Sequence, residues 1–216
     1  MTVNNFKKMV FSAIGLVFMA LGITTATMSG LGTTPISAPV WVATLAGGLS
    51  FGGWTLALNA LLFLLQLVLL RGNFPASSWW QLPAMLVFSA ALDMWVWILG
   101  DIHFTEYWQQ FVQLILGLVI LGIGIAIEVA PNFLFVPGEG LVATIALLLK
   151  KPFHKVKIAN DTTLVTIALI MSFVFFGEVR GLREGTAIAA VLTGVVVGAV
   201  APTVDKALGK FLAIRS

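Results

Sequence analysis

The chain of 216 residues has no cysteine, which excludes disulfides, thiol catalysis and thiolate metal sites. Charge is scarce as well: 10% of residues are Asp, Glu, Lys or Arg, where ordinary globular chains have about 25%. From Met9 to Leu70 there is not one Asp, Glu, Lys, Arg or His. The two histidines, His103 and His154, have no ligand spacing around them. No Gly-rich phosphate loop is followed by Lys-Ser/Thr, no HExxH occurs and no nucleophile elbow is present, so no enzyme is indicated and no cofactor is implied. Without a Walker motif, this chain does not drive transport by hydrolysing ATP.

What is abundant is apolar side chain: 59% of residues, with a mean hydropathy of +1.04. The reading is an all-α polytopic membrane protein. The net charge of +3 comes from Lys and Arg at segment ends, where it reports orientation and forms no nucleic-acid patch. Met9 to about Gly30 follows Lys7 and Lys8, exceeds a signal peptide's apolar core and continues into more apolar sequence, as an uncleaved first span does.

A membrane's hydrocarbon layer, roughly 30 Å thick, needs about 20 helical residues. Six stretches are long enough: 9–30, 53–71, 80–99, 107–130, 160–177 and 184–203. Two shorter apolar stretches remain, about 35–50 and 137–149, each opening at a proline, which costs no hydrogen bond in a first helical turn. Short Pro/Gly-interrupted helices in matching positions of two halves point to a transporter site.

The halves match under a shift of 102 residues, which sets Gly117-Leu118-Val119 on Gly15-Leu16-Val17. The same shift pairs Gly22 with Gly124, Pro35 with Pro137, Phe51 with Phe153, and Asn59 with Asp161. Locally, Val42-Ala43-Thr44 prefers a shift of 100, onto Val142-Ala143-Thr144. The expected architecture is one membrane domain over 1–203, built as two pseudo-symmetric repeats, about 9–100 and 107–203. Each repeat has three transmembrane helices and one short helix, re-entrant or half-spanning. Residues 204–216 are expected as a short cytoplasmic tail.

Charge placement bears on the topology. If the short helices re-enter, Lys7, Lys8, Arg71, Lys150, Lys151, Lys155, Lys157, Lys206, Lys210 and Arg215 share one side, and Arg180 and Arg183 the other. If they cross, Arg71 changes sides. The positive-inside rule prefers re-entry, with inverted halves, by that one residue. Both arrangements give cytoplasmic termini.

Several polar residues within this apolar chain are candidates. Thr33, Thr34 and Ser37 surround the first break, where free N–H groups and hydroxyls suit an anion or headgroup, or simply cap a helix. Gly138, Glu139 and Gly140 form the second break, with a carboxylate between two glycines that allow close approach to a ligand. Glu139 is a candidate for binding a cationic group or carrying a coupling proton, and its bland role is to favour the helix dipole. Asp93, inside the third span, is a second coupling candidate, facing the bundle interior near Asn59 and Gln66, or making an interhelical hydrogen bond. Asn59 and Gln66 lie two turns apart on one face, lining a path or joining helices. Asp161 is the third coupling candidate, or an ion-pair partner for Lys157 at i,i+4. Glu128 is assigned an interfacial position at a helix end. Ala190, Gly194 and Gly198 form a small-residue packing seam.

Gly30-Leu31-Gly32-Thr33-Thr34-Pro35-Ile36-Ser37, followed by Asn59, Gln66 and Asp93, resembles the first half of the YczE/YyaS/YitT family of bacterial membrane proteins. Pro137-Gly138-Glu139-Gly140, Val156-Lys157-Ile158 with Asp161, and Arg183-Glu184-Gly185-Thr186 resemble its second half. The resemblance covers about residues 9–203 and implies a multi-pass protein of the bacterial inner (plasma) membrane, with transport suspected. The expected function is a secondary transporter for a small polar or ionic solute. The alternative is a non-transporting subunit, or the substrate-capturing component of a larger complex. The partners expected are a small-molecule or ion substrate and the lipid bilayer, with a homo-oligomer possible and no nucleic acid.

Overall fold

The computed structural model describes residues 3–133 and 135–213. Eight α-helices follow in order: α1 Val3–Met28, α2 Ala38–Ala46, α3 Phe51–Leu70, α4 Gln81–Leu99, α5 Tyr107–Val129, α6 Pro137–Leu149, α7 Phe153–Phe176 and α8 Glu184–Ala213. Two 3-10 turns, Arg71–Asn73 and Ala76–Trp80, connect α3 to α4, and the described residues contain no strand. Six helices are long and apolar enough to cross a membrane; α2 and α6 are not. At 1.5 Å per residue those two are roughly 14 and 20 Å long.

The central contact is between α1 and α5, and glycine makes it possible. A Cβ added to Gly22 would lie 2.6 Å from Leu121 Cα, and one on Gly124 would lie 2.5 Å from Met19 N. Gly15 meets Glu128 in the same way, and Gly117 meets Ala26. These pairings descend one helix as they climb the other, so α1 and α5 are antiparallel. Leu16, Met19, Ile23, Leu114, Leu118 and Leu121 fill the core around the crossing.

The remaining helices flank this pair. α4 packs on α1 and α8 on α5, while α2 packs on α7 and α6 on α3. Lys7 Nζ donates to Phe211 O at 3.3 Å, so the start of α1 and the end of α8 share one end of the bundle. At the other end, Gly185 N–H donates to Leu31 O at 2.8 Å. With α1, α3 and α4 each traversing once, α5 runs antiparallel to α1 only if α2 turns back to the end it left. α5 and α8 are parallel, since Gly185 meets Leu114 and Gly122 meets Val196. By the same count, α6 also turns back.

Several boundaries differ from those expected. The first short helix starts at Ala38, because residues 35–37 form a turn and Pro39 occupies the first helical turn. The fifth span starts at Phe153 rather than 160: Lys157 and Asp161 pair at 2.7 Å on the helix surface, so their charges do not end the helix. α8 passes Pro202 and continues to Ala213, so 204–213 is helix rather than a tail. Residues 214–216, with Arg215, lie outside the described residues.

The packing seam expected at Ala190, Gly194 and Gly198 is a correction. Nothing lies within 4 Å of a Cβ added at Gly194 or Gly198, and Ala190 is exposed. Ala190 lines an open cavity with Pro35 and Asp161, Gly194 and Gly198 have no neighbour in reach, and close packing falls to the α1–α5 glycines instead.

Candidate functional site

The two breaks meet. The coil after α1 is anchored at its rim by Thr33 N–H donating to Thr186 Oγ1 at 3.2 Å. It then carries Ile36 inward, where a Cβ on Gly138 would collide with the Ile36 side chain. Leu62, midway along α3, lies beside the same point, so the contact sits near mid-depth of the bundle. From there α2 and α6 run outward to opposite ends, with their N-termini facing inward.

The hydroxyls of the first break are engaged with one another. Thr33 Oγ1 and Thr27 Oγ1 are 2.6 Å apart, and Thr34 Oγ1 donates to Ser37 Oγ at 2.9 Å. All three candidates are buried, and Ser37 makes no side-chain cap to α2. Their geometry stabilises the coil, and Pro35 of this break lines a cavity of about 500 Å³.

The second break opens differently. A cavity of about 980 Å³ lies between the end of α3, the connecting turns, the end of α5 and α6. Gln66, Gln81, Arg71, Glu139, Gly140 and Thr144 are among its lining residues. Gln66 and Gln81 hold each other by two reciprocal hydrogen bonds of 3.1 Å, each amide Nε2 donating to the other's Oε1, and Gln66 Nε2 also donates to Pro137 O at 3.0 Å. This amide pair joins α3, α4 and the start of α6. Gly140 leaves room for them: a Cβ there would lie 2.6 Å from Gln66 Oε1 and would push the amide pair aside. Gln81 was not singled out in the sequence, where it stands as one amide at the edge of a span; its partner lies fifteen residues away across two turns.

Replacing Gln66 by Leu leaves the buried Gln81 amide without its partner, a loss of about 1–3 kcal/mol. Gln66→Leu/Gln81→Leu should therefore be less destabilised than the sum of the two single variants in thermal melts. Additive losses would show that the amide pair does not couple α3 to α4.

The carboxylates separate into different environments. Glu139 lines the large cavity, and Lys157 and Asp161 on α7 both act on it electrostatically. Asp161 is bonded to Lys157 and lines a second cavity of about 500 Å³ with Pro35, Arg183 and Thr186. Asn59 is buried on α3, its amide reached by no hydrogen bond among the described residues.

Asp93 does not lie near Gln66. It accepts from Ser50 Oγ at 2.6 Å and from Gly52 N–H at 2.7 Å, capping the opposite end of α3. Fourteen residues separate Gly52 from Gln66 (66 − 52), about 21 Å of helix. Both hydrogen bonds join α4 to the start of α3.

Glu128 is a second correction. It is 0% exposed, not interfacial: α1 packs on it, with Gly15 against its backbone and Ser12 Oγ donating to its carbonyl.

Residues 6–202 match a family of unknown function, DUF6198. The chain is 24% identical over 200 residues to the uncharacterized protein YyaS of Bacillus subtilis (strain 168), covering 92% of this chain and 94% of that protein. This agrees with the YyaS resemblance read from the breaks. No solved structure matches the chain.

Proposed function

The chain belongs to this family of unknown function, DUF6198, and we propose that it is a secondary membrane transporter for a small polar or ionic solute. The observation that carries the reading is the meeting of the two breaks at Ile36 and Gly138, with Glu139 beside them on the wall of the large cavity. Gln66, Glu139 and Gly140 contact the solute first. Thr33, Thr34, Ser37, Asn59 and Gly138 shape the path, and Glu139 with Asp161 carries the coupling charge.

Alternating access needs two halves that exchange roles, and the contacts support such halves. Gly15 on Glu128 becomes Gly117 on Ala26 under the 102-residue shift, and Gly22 on Leu121 becomes Gly124 on Met19. The contact between Ile36 and Gly138 maps onto itself (36 + 102 = 138), as expected beside a two-fold axis. Packing of α2 on α7 maps onto that of α6 on α3. The antiparallel course of α1 and α5 favours inverted halves. The positive-inside rule then places both termini, and the mouth of the large cavity near Arg71 and Asn73, on the cytoplasmic side of a bacterial plasma membrane.

A second reading, a subunit of a larger assembly or a homo-oligomer, is favoured by the uncovered Ala190–Gly194–Gly198 stripe of α8. Co-purification with a stoichiometric partner, together with no uptake by the isolated chain in liposomes, would select it.

The test begins with thermal stabilisation of the purified protein across a panel of metabolites, since binding to the folded state raises its melting point. Liposome uptake of the stabilising compound should then be abolished in Glu139→Gln while expression and folding persist. Uptake at wild-type level in that variant would remove Glu139 from the mechanism.

A further inference from the structure

Glu128 is the most deeply enclosed ionisable residue of the second break, and the transport reading leaves it unused. It occupies the last turn of α5 and is wholly buried. Neither of its carboxyl oxygens has a hydrogen-bond partner among the described residues. The Val136 N–H, just before the Pro137 break, approaches the carboxyl without reaching hydrogen-bond geometry.

The Glu128 backbone is held tightly against α1. Gly15 of α1 lies against its backbone, where an added Cβ would be 2.6 Å from Glu128 Cα, and Ser12 Oγ donates to Glu128 O at 3.2 Å. None of the ion pairs among the described residues involves it. Ile125 and Val129, on either side of it along α5, line the large cavity together with Glu139 of α6, a carboxylate of the same sign, and with Arg71 beyond the end of α3. Around them, α7 contributes Lys157 and Asp161, both acting on Glu139. α1 has its nearest ionisable residues, Lys8 and Lys7, a turn or more beyond Ser12, and α8 has none between Glu184 and Asp205.

An isolated ionised carboxylate in apolar surroundings, with no partner and a like charge nearby, costs far more than burying the neutral acid. Two neighbouring carboxyls of this kind titrate as a unit. We propose that Glu128 and Glu139 form a proton-binding pair in which Glu128 is the enclosed, neutral member and Glu139 exchanges its proton with the cavity. That the proton is the coupling ion follows only if the chain is a transporter; the pair itself does not depend on it.

Infrared spectroscopy of the purified full-length protein, titrated with acid and base, tests the pair without any substrate. At neutral pH the wild type should show the carbonyl stretch of a protonated carboxyl, shifted in deuterium oxide and lost in Glu128→Gln. Because Gln is isosteric with the neutral acid, that variant should fold and melt close to wild type. Removing the like charge in Glu139→Gln should move the disappearance of the Glu128 band to lower pH. The pair is overturned if no such band is lost in Glu128→Gln, if the band titrates identically in Glu139→Gln, or if sodium chloride in place of choline chloride abolishes it. The last result would assign a metal cation to the two carboxyls. A Glu128→Gln chain that cannot fold, with an unshifted band in Glu139→Gln, would also overturn it. Normal uptake by Glu139→Gln with a shifted band would instead overturn the transport assignment and leave the pair standing.

Discussion

Gly22→Leu should leave little folded protein in detergent, whereas Gly194→Leu should express and melt like the wild type. Both substitutions add the same apolar side chain to an apolar helix, so composition and helix propensity do not distinguish them. What differs is the neighbour. At Gly22 the new Cβ meets the backbone of α5, 2.6 Å from Leu121 Cα and 2.7 Å from Gly117 O. Backbone cannot rotate aside as a side chain can, so α1 and α5 must separate along the crossing that carries the core. Overpacking costs typically about 1–3 kcal/mol, and a clash that spreads a whole interface belongs at or above the top of that range. At Gly194 nothing lies within 4 Å. Melting curves followed by size-exclusion recovery decide it. Equal melting points for the two variants would mean that α1 and α5 do not cross at these glycines. A loss confined to Gly194→Leu would mean that the outward stripe of α8 is an obligatory interface.

Asp93→Ala should lower stability by roughly 1.5–3 kcal/mol, the range for hydrogen bonds to a charged group, with Asp93→Asn between it and the wild type. The carboxylate accepts from Ser50 Oγ and Gly52 N–H, where the first amides of α3 have no helical partners of their own. Ser50 in turn accepts from Gly53 N–H at 3.0 Å, so one acid on α4 organises the whole start of α3. Asn keeps an acceptor for Gly52 but loses the charge that favours a helix N-terminus. Folded molecules of either variant should still be stabilised by the panel compound that stabilises the wild type. An Asp93→Ala protein that melts like the wild type but no longer responds to that compound would return Asp93 to the binding machinery.

These cases show which features of the fold were legible in the residues. Gly15 and Gly22 recur as Gly117 and Gly124 because both members of each pair sit in one crossing, so a structural demand left a trace in sequence. The second short helix was readable to the residue, since Pro137 opens it and Lys150, with φ +51°, ends it. The first was not, because Pro35 belongs to a turn and Pro39 to the helix. Depth was the feature that could not be read. Glu128 is a polar residue at the end of an apolar run, which is how an interfacial residue looks; its burial comes with the packing of α1, more than a hundred positions away, against it. Asp93 depends on partners 41 and 43 positions away, and no local pattern announces them. The small-residue stripe of α8 has the spacing of a packed seam, but spacing does not specify which face meets the rest of the chain.

The contact between Ile36 and Gly138 has a consequence for electrical insulation. Pro35 lines one cavity and Glu139 the other, and these residues adjoin the two that touch. Were both hollows water-filled in a membrane, the low-dielectric barrier between them at this place would be little more than the Ile36–Gly138 contact, far thinner than the hydrocarbon layer around it. A membrane potential applied across the protein would therefore fall steeply over a few ångströms instead of evenly over its full depth. A charge moving only from one side of Ile36 to the other would then cross much of that field, so a small local displacement could be strongly voltage-dependent.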